Sequence, residues 1–125
     1  MIDVFEGVKH FKAEEFDSPD EKGSGQKMNP EFIKILEKIR EKAGFPFIIN
    51  SAYRTSTHNA EVNGKETSAH MKGIAVDINV NDSRQRHDLI RAAIECGISR
   101  FGIGNGFVHL DLDFSKDQRV IWLYP

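Results

Sequence analysis

Apolar residues recur along the chain with two different periods. Between residues 30 and 43, Phe32, Ile33, Ile35, Leu36, Ile39 and Ala43 fall at helical spacing and predict an amphipathic helix. Asn29 suits its N-cap, Pro30 its first position and Gly44 its end. Lys38, Arg40 and Lys42 gather near the negative end of its dipole. A second helix is predicted from Ser83, as its cap, through Leu89, Ile90, Ala93 and Ile94 to Gly97. Elsewhere the period is two. In residues 74–80, Ile74, Val76, Ile78 and Val80 share one face, and Ala75, Asp77 and Asn79 the other. In residues 107–112, Val108, Leu110 and Leu112 oppose Phe107, His109 and Asp111. Further strands are predicted at 45–50, 98–103 and 120–124. The last three strands read as a β-meander, with turn chemistry from Gly102, Gly104, Asn105 and Gly106.

The connecting segments carry less pattern. Residues 10–16 suggest a short helical turn, and Ser18 to Gly25, rich in turn formers, predicts an exposed loop. Residues 51–71 are polar and read as one long loop, which in a small domain is usually functional or disordered. The expected architecture is α+β: a small, mostly antiparallel sheet with helices packed on one face.

At 125 residues the chain has the size of one domain, expected over 1–125. With 39% hydrophobic and 29% charged residues it falls outside the disordered and fibrous classes. A net charge of −2 offers no broad electrostatic footprint for nucleic acid or an anionic membrane. No stretch is long and apolar enough to span a bilayer, so membrane insertion is not expected. Residues 1–11 lack the apolar stretch of a signal peptide, which predicts synthesis in the cytoplasm. Cys96 stands alone, excludes an internal disulfide and reads as a small core residue.

The chemistry-bearing residues interrupt the apolar strands. Asp77 points away from the apolar face of its strand, and His109 does the same on the other alternating strand. If these strands are neighbours, both project from one side of the sheet. His70, on the loop feeding the first strand, then closes a triangle with them. Two imidazoles and one carboxylate are a zinc set, with ligands at about 2.0–2.2 Å and a fourth tetrahedral position open for water. Such a metal lowers the pKa of its water to roughly 7 and polarises a carbonyl. Spacing alone leaves a plainer alternative: His70 caps a turn, and Asp77 and His109 simply face solvent.

Several blocks resemble the peptidase M15 family: Ser51-Ala-Tyr53-Arg54, His58-Asn59, Gly64, Ser68-Ala-His70, Gly73-Ile-Ala-Val-Asp77-Ile78 and Phe107-Val-His109-Leu-Asp111. The similarity runs from His10-Phe11 to the end. Its specific part is S-x-H-x-x-G-x-A-x-D followed by V-H-x-D, and the branch resembled ends in an aromatic strand such as Arg119-Val-Ile-Trp122. That family contains zinc D-Ala-D-Ala carboxypeptidases and peptidoglycan endopeptidases, many carried by phages. The resemblance implies a Hedgehog/D-Ala-D-Ala-peptidase-like fold and zinc (Zn2+) on His70, Asp77 and His109. It also implies a peptidoglycan stem peptide as substrate for a monomer acting on the cell wall, as a phage lysis or virion enzyme would.

Arg54 is implied to face the substrate, since a guanidinium fork suits a carboxylate or peptide carbonyl; a salt bridge at the strand end is its alternative. Ser68 orients the ligand loop, touches substrate or serves only as a turn residue. His58 lines the cleft or sits on the surface. One position departs from the family: Gly106 stands three residues before His109, where several members carry an acidic base. Asp111, on the face of His109, either takes a proton from the activated water or hydrogen-bonds a ligand imidazole. Gly106 also keeps open a non-catalytic zinc-binding cell-wall or phage module of the same fold; a metal-free structural component is a second rival, against which the three intact ligand types argue. His10 and His87 have no partners at ligand spacing, and His87 reads as solvated. Phe107 packs the sheet or rims the cleft, and Trp122 is expected in the core.

Overall fold

A computed structural model describes residues 2–125. It is an α+β fold with three α-helices and a five-stranded, mostly antiparallel sheet. Helix α1 (Pro30–Ala43) forms as the pattern predicts. Asn29 Oδ1 accepts from the N–H groups of Glu31 and Phe32 at 2.9 and 3.1 Å. Gly44 takes the left-handed conformation that closes the helix. Helix α2 (Ser56–Glu61) lies inside the stretch expected to be loop. It carries no apolar stripe, only Asn59 being buried, and rests on the Thr55 cap, so periodicity could not reveal it. Helix α3 (Ser83–Glu95) is capped by Asp82 rather than Ser83. The Asp82 carboxylate reaches the N–H groups of Arg84 and Gln85 and adds a negative charge at the helix N-terminus.

The strands are β1 (Ile49–Ser51), β2 (Ala75–Asn79), β3 (Arg100–Gly104), β4 (Phe107–Asp111) and β5 (Val120–Leu123), in the sheet order β1-β2-β4-β3-β5. The expected meander does not form, because β2 already occupies the outer edge of β4. Strand β5 therefore crosses to the far side of β3 and pairs with it in parallel. Strand β1 is shorter than the predicted 45–50, since Pro46 has no N–H for a ladder. Phe45 and Phe47 turn instead to pack ring against ring, with centroids 5.2 Å apart.

The core lies on one face of the sheet. Val76, Ile78, Val108, Leu110 and Phe101 meet Phe32, Leu36, Leu89 and Ala92 of α1 and α3 there. Phe5, Phe11 and Phe16 extend this core from the N-terminal segment, where the expected helical turn appears at Ala13–Phe16. The segment from Ser18 to Gly25 is exposed at Pro19, Asp20, Lys22 and Gly23, as its composition suggested, but it is anchored at its ends. Ser18 and Ser24 are buried, the Ser18 N–H donating to Ser24 Oγ, and Asp17 accepts from Gly23 and Gly25.

The opposite face is ordered by register. Ser51 pairs with Asp77, Asp77 with His109, His109 with Gly102 and Gly102 with Trp122, one row across all five strands. Gly73 docks the loop that feeds this row onto the start of α1. Its carbonyl accepts from the Asn29 N–H at 2.9 Å, its φ is +73°, and a Cβ there would lie 2.6 Å from the Lys27 carbonyl oxygen.

Two predictions follow from these joints. Gly73→Ala should cost about 1–3 kcal/mol of stability in urea unfolding; an unchanged midpoint would contradict the close approach. Asp113, buried just after β4, accepts from Lys72 Nζ at 3.0 Å and from the Ser115 N–H at 3.1 Å. Burial pushes its carboxyl up, but the Ser115 and Lys72 hydrogen bonds outweigh this and hold it well below the usual range. Its stabilisation is complete above its unfolded pKa of about 3.9 and is lost as pH falls from there towards the depressed folded value. The stability gap between wild type and Asp113→Asn should therefore narrow below about pH 4, and a gap independent of pH would contradict this.

Candidate metal centre

His70 sits in a tight turn series closed by the N–H groups of Met71, Lys72 and Gly73 on the carbonyls of Ser68, Ala69 and His70. The buried Ser68 steadies this turn, its Oγ accepting from the His70 N–H at 3.2 Å. His70 Nδ1 lies 2.7 Å from the Ala52 carbonyl oxygen. A carbonyl only accepts, so Nδ1 carries the hydrogen and Nε2 is the bare nitrogen. That Nε2 faces Asp77 Oδ1 at 3.3 Å.

His109 is set from the other side. Its Nε2 meets Asp111 Oδ2 at 2.7 Å, and its Nδ1 meets Asp77 Oδ1 at 2.9 Å. Burial pushes the Asp111 carboxyl up, but hydrogen bonds from His109 and the Asp113 N–H, with the Arg100 charge, hold it below its ordinary value. Asp111 is therefore an anion that takes the Nε2 hydrogen, which leaves Nδ1 bare towards Asp77 in the neutral ring.

His70, Asp77 and His109 thus aim three lone-pair atoms at one point, all within 4.8 Å of one another. The arrangement calls for a positive charge, supplied either by a cation held between the neutral rings or by the imidazolium of His109, whose Nδ1–H then faces Asp77. Burial lowers the His70 pKa, so that ring stays neutral near pH 7. For His109, burial also pulls down, but the Asp111 and Asp77 carboxylates overcome it and raise the pKa. Asp77 is pushed up by burial and pulled well below the ordinary range by the two imidazoles. Two nitrogens and one carboxylate oxygen, each orientated by a further hydrogen bond or ion pair, are the donor set of a divalent transition metal such as zinc.

Arg54 borders this set. Its Nη2 stands 3.6 Å from Asp77 Oδ2, its Nε donates to Ser51 Oγ at 3.2 Å and its Nη1 to Asn59 Oδ1 at 3.3 Å. Of the two sequence alternatives for Arg54, the ion pair is present, and it is made to Asp77. His58 is not among them; its ring faces Glu61 on α2 at 3.9 Å.

Asp111 makes the hydrogen bond to His109 that is one of its two expected roles. It contacts the ring edge of His109 opposite to the one facing Asp77, and both its oxygens are engaged, Oδ1 by Arg100 Nε and the Asp113 N–H. Trp122 departs from its expected place in the core. Its ring is only half-buried and lies against His109, with centroids 5.5 Å apart. Gly102 makes this possible: a Cβ there would meet Trp122 Nε1 at 2.6 Å and Tyr124 at 2.5 Å. Phe107 packs on Tyr124 in the same aromatic layer.

The Ala52 carbonyl and Arg100 escaped the sequence argument. Arg100 had a signal, since a hairpin pairing Gly104 with Phe107 and Phe101 with Leu110 sets residue 100 opposite 111. His10, expected without a partner, lies 2.6 Å from Glu37 Oε2 of α1, near Glu41, a contact invisible at short range. His87 is exposed as expected, and Cys96 is partly buried against the core.

The profile of the Peptidase M15 family matches residues 9–111, a stretch that contains His70, Asp77 and His109 with Arg54, Arg100 and Asp111. The chain belongs to that family and is a peptidase of it. Comparison with curated proteins returns no match.

Trp122 is the only tryptophan, so its emission should report the centre. Stoichiometric Co2+ should quench it, a chelator should restore it, and His70→Ala should require far higher Co2+. Quenching that is equal in wild type and His70→Ala would contradict the assignment.

Proposed function

We propose that the protein is a zinc-dependent peptidase that hydrolyses amide bonds in peptidoglycan stem peptides. The observation that carries the metal assignment is the convergence of His70, Asp77 and His109 with their ligand atoms within 4.8 Å of one another, the other nitrogen of each ring being engaged by the Ala52 carbonyl and by Asp111. The peptidase assignment is supported by the family. In this reading His70 Nε2, Asp77 and His109 Nδ1 hold the ion. Zinc in such a site supplies a Lewis acid that polarises the scissile carbonyl and activates water as the nucleophile.

The remaining roles fall to the chain itself. Ser51 and Asn59 fix the Arg54 guanidinium at the margin of the ligand set, where its free donors meet a substrate carboxylate or carbonyl. Ser68 holds the turn that carries His70. Asp111 holds His109 rather than the proton of the water, because its oxygens are already committed. Gly106 forms the β3–β4 turn at φ +80°, its carbonyl accepting from the Val80 N–H, so this position serves the hairpin.

Among the described residues no helix is long and apolar enough to cross a membrane. With the wall peptide as substrate, the place of action is the cell wall, and a phage-derived lysis or virion enzyme suits that chemistry. A carboxypeptidase and an endopeptidase release different products, so the products name the bond.

Zinc-loaded protein should convert isolated peptidoglycan into new muropeptides resolved by chromatography, and His70→Ala should abolish this. Arg54→Ala should lower kcat/KM by about 10²–10³-fold, the range for losing one charge-stabilising donor. Zinc-loaded protein that binds the wall and leaves its peptides intact would establish the non-catalytic module instead.

A further inference from the structure

We propose that Arg100 is a positioning residue for His109, acting through Asp111; this rests on His109 being a metal ligand. Arg100 is buried on β3, and its Nε donates to Asp111 Oδ1 at 2.8 Å. Its Nη1 donates to the Asp117 carbonyl at 2.6 Å, and its guanidinium carbon lies 4.9 Å from the centroid of Trp122. The guanidinium is thus held by a carboxylate, a carbonyl and an aromatic face. A Lys ammonium, a single point charge on a flexible stem, cannot meet all three.

The consequence reaches the ligand nitrogen. Asp111 Oδ1 is shared by Arg100 and the Asp113 N–H, which fixes the carboxylate plane and leaves Oδ2 for His109 Nε2 at 2.7 Å. A buried carboxylate facing only a neutral imidazole would be poorly compensated. With Asp111 held in this plane, its Oδ2 meets His109 Nε2, and the ring keeps the orientation that directs Nδ1 at Asp77. Trp122 closes one face of this relay and touches the His109 ring as well, so metal ligand, carboxylate, guanidinium and indole form one packed unit.

A merely structural role would have Arg100 pin residues 112–119 through Asp117. Gln118→Ala is the control, because Gln118 ties that segment to Ser99, Asp113 and Lys116 without touching Asp111. The measurement is Co2+ affinity by competition with a chromophoric chelator, together with the visible spectrum of the Co2+ protein. Absence of stoichiometric binding by wild type overturns the metal reading, and this proposal with it. With wild type binding, Arg100→Met should weaken Co2+ by about 10–100-fold and shift the visible bands. Gln118→Ala should lower Tm with wild-type affinity and spectrum. In the Asp111→Asn background, Arg100→Met should add no further loss. Wild-type affinity and spectrum in Arg100→Met, full additivity in the double variant, or the same spectral shift in Gln118→Ala would each overturn the proposal. Should Arg100→Met fail to fold, Arg100→Lys takes its place, with a smaller loss expected and wild-type behaviour overturning.

Discussion

The pairing of Asp77 with His109 across β2 and β4 is the constraint on which the candidate centre depends. Side chains alternate along a strand, so a slip of one residue would send the Asp77 carboxylate into the core and Val76 or Ile78 out of it. Burial of Val76, Ile78, Val108 and Leu110 therefore does two things at once. It stabilises the sheet against α1 and α3, and it holds Asp77 and His109 on the opposite face. The hydrophobic pattern that folds the protein is also what aims its chemistry.

Around that pair the structure adds restraints in layers. The Ala52 carbonyl and Asp111 engage the nitrogen of each imidazole that faces away from Asp77. Ser68 and Gly73 hold the turn carrying His70, and Arg100 holds Asp111. Gly102 clears the space through which Trp122 reaches His109. Backbone groups do part of this work, and so does a missing Cβ. A list of ligands alone would miss most of what directs the lone pairs.

Long periodic elements were legible in the sequence, because their patterns record burial directly: α1 from its apolar stripe and Asn29 cap, β2 and β4 from strict alternation. Asp77 and His109 were legible for the same reason, since polar residues on the bare face of a half-buried sheet stand out; His70 lies on the turn before β2, outside any alternation, and was legible from the S-x-H-x-x-G-x-A-x-D block. Helix α2 was not, because a capped six-residue helix with a single buried residue leaves no periodic trace. The parallel placement of β5 was not, because it depends on which sheet edges remain free. With it went the position of Trp122. The role of Asp111 stayed divided between two readings because alternation gives the face of a strand but not which imidazole nitrogen a neighbour meets. Arg100 was readable from the hairpin register around Asn105 and Gly106, had the pairing been counted outward from the turn.

The central claim, that His70, Asp77 and His109 form one metal centre, is tested most directly by X-ray absorption spectroscopy of the zinc-loaded protein. One tightly bound zinc per chain is predicted, with two imidazole nitrogens and carboxylate or water oxygens at about 2.0–2.2 Å and no sulfur. A spectrum showing fewer than two imidazoles, a zinc–sulfur distance of about 2.3 Å, or an ion ligated by solvent oxygens alone would contradict it.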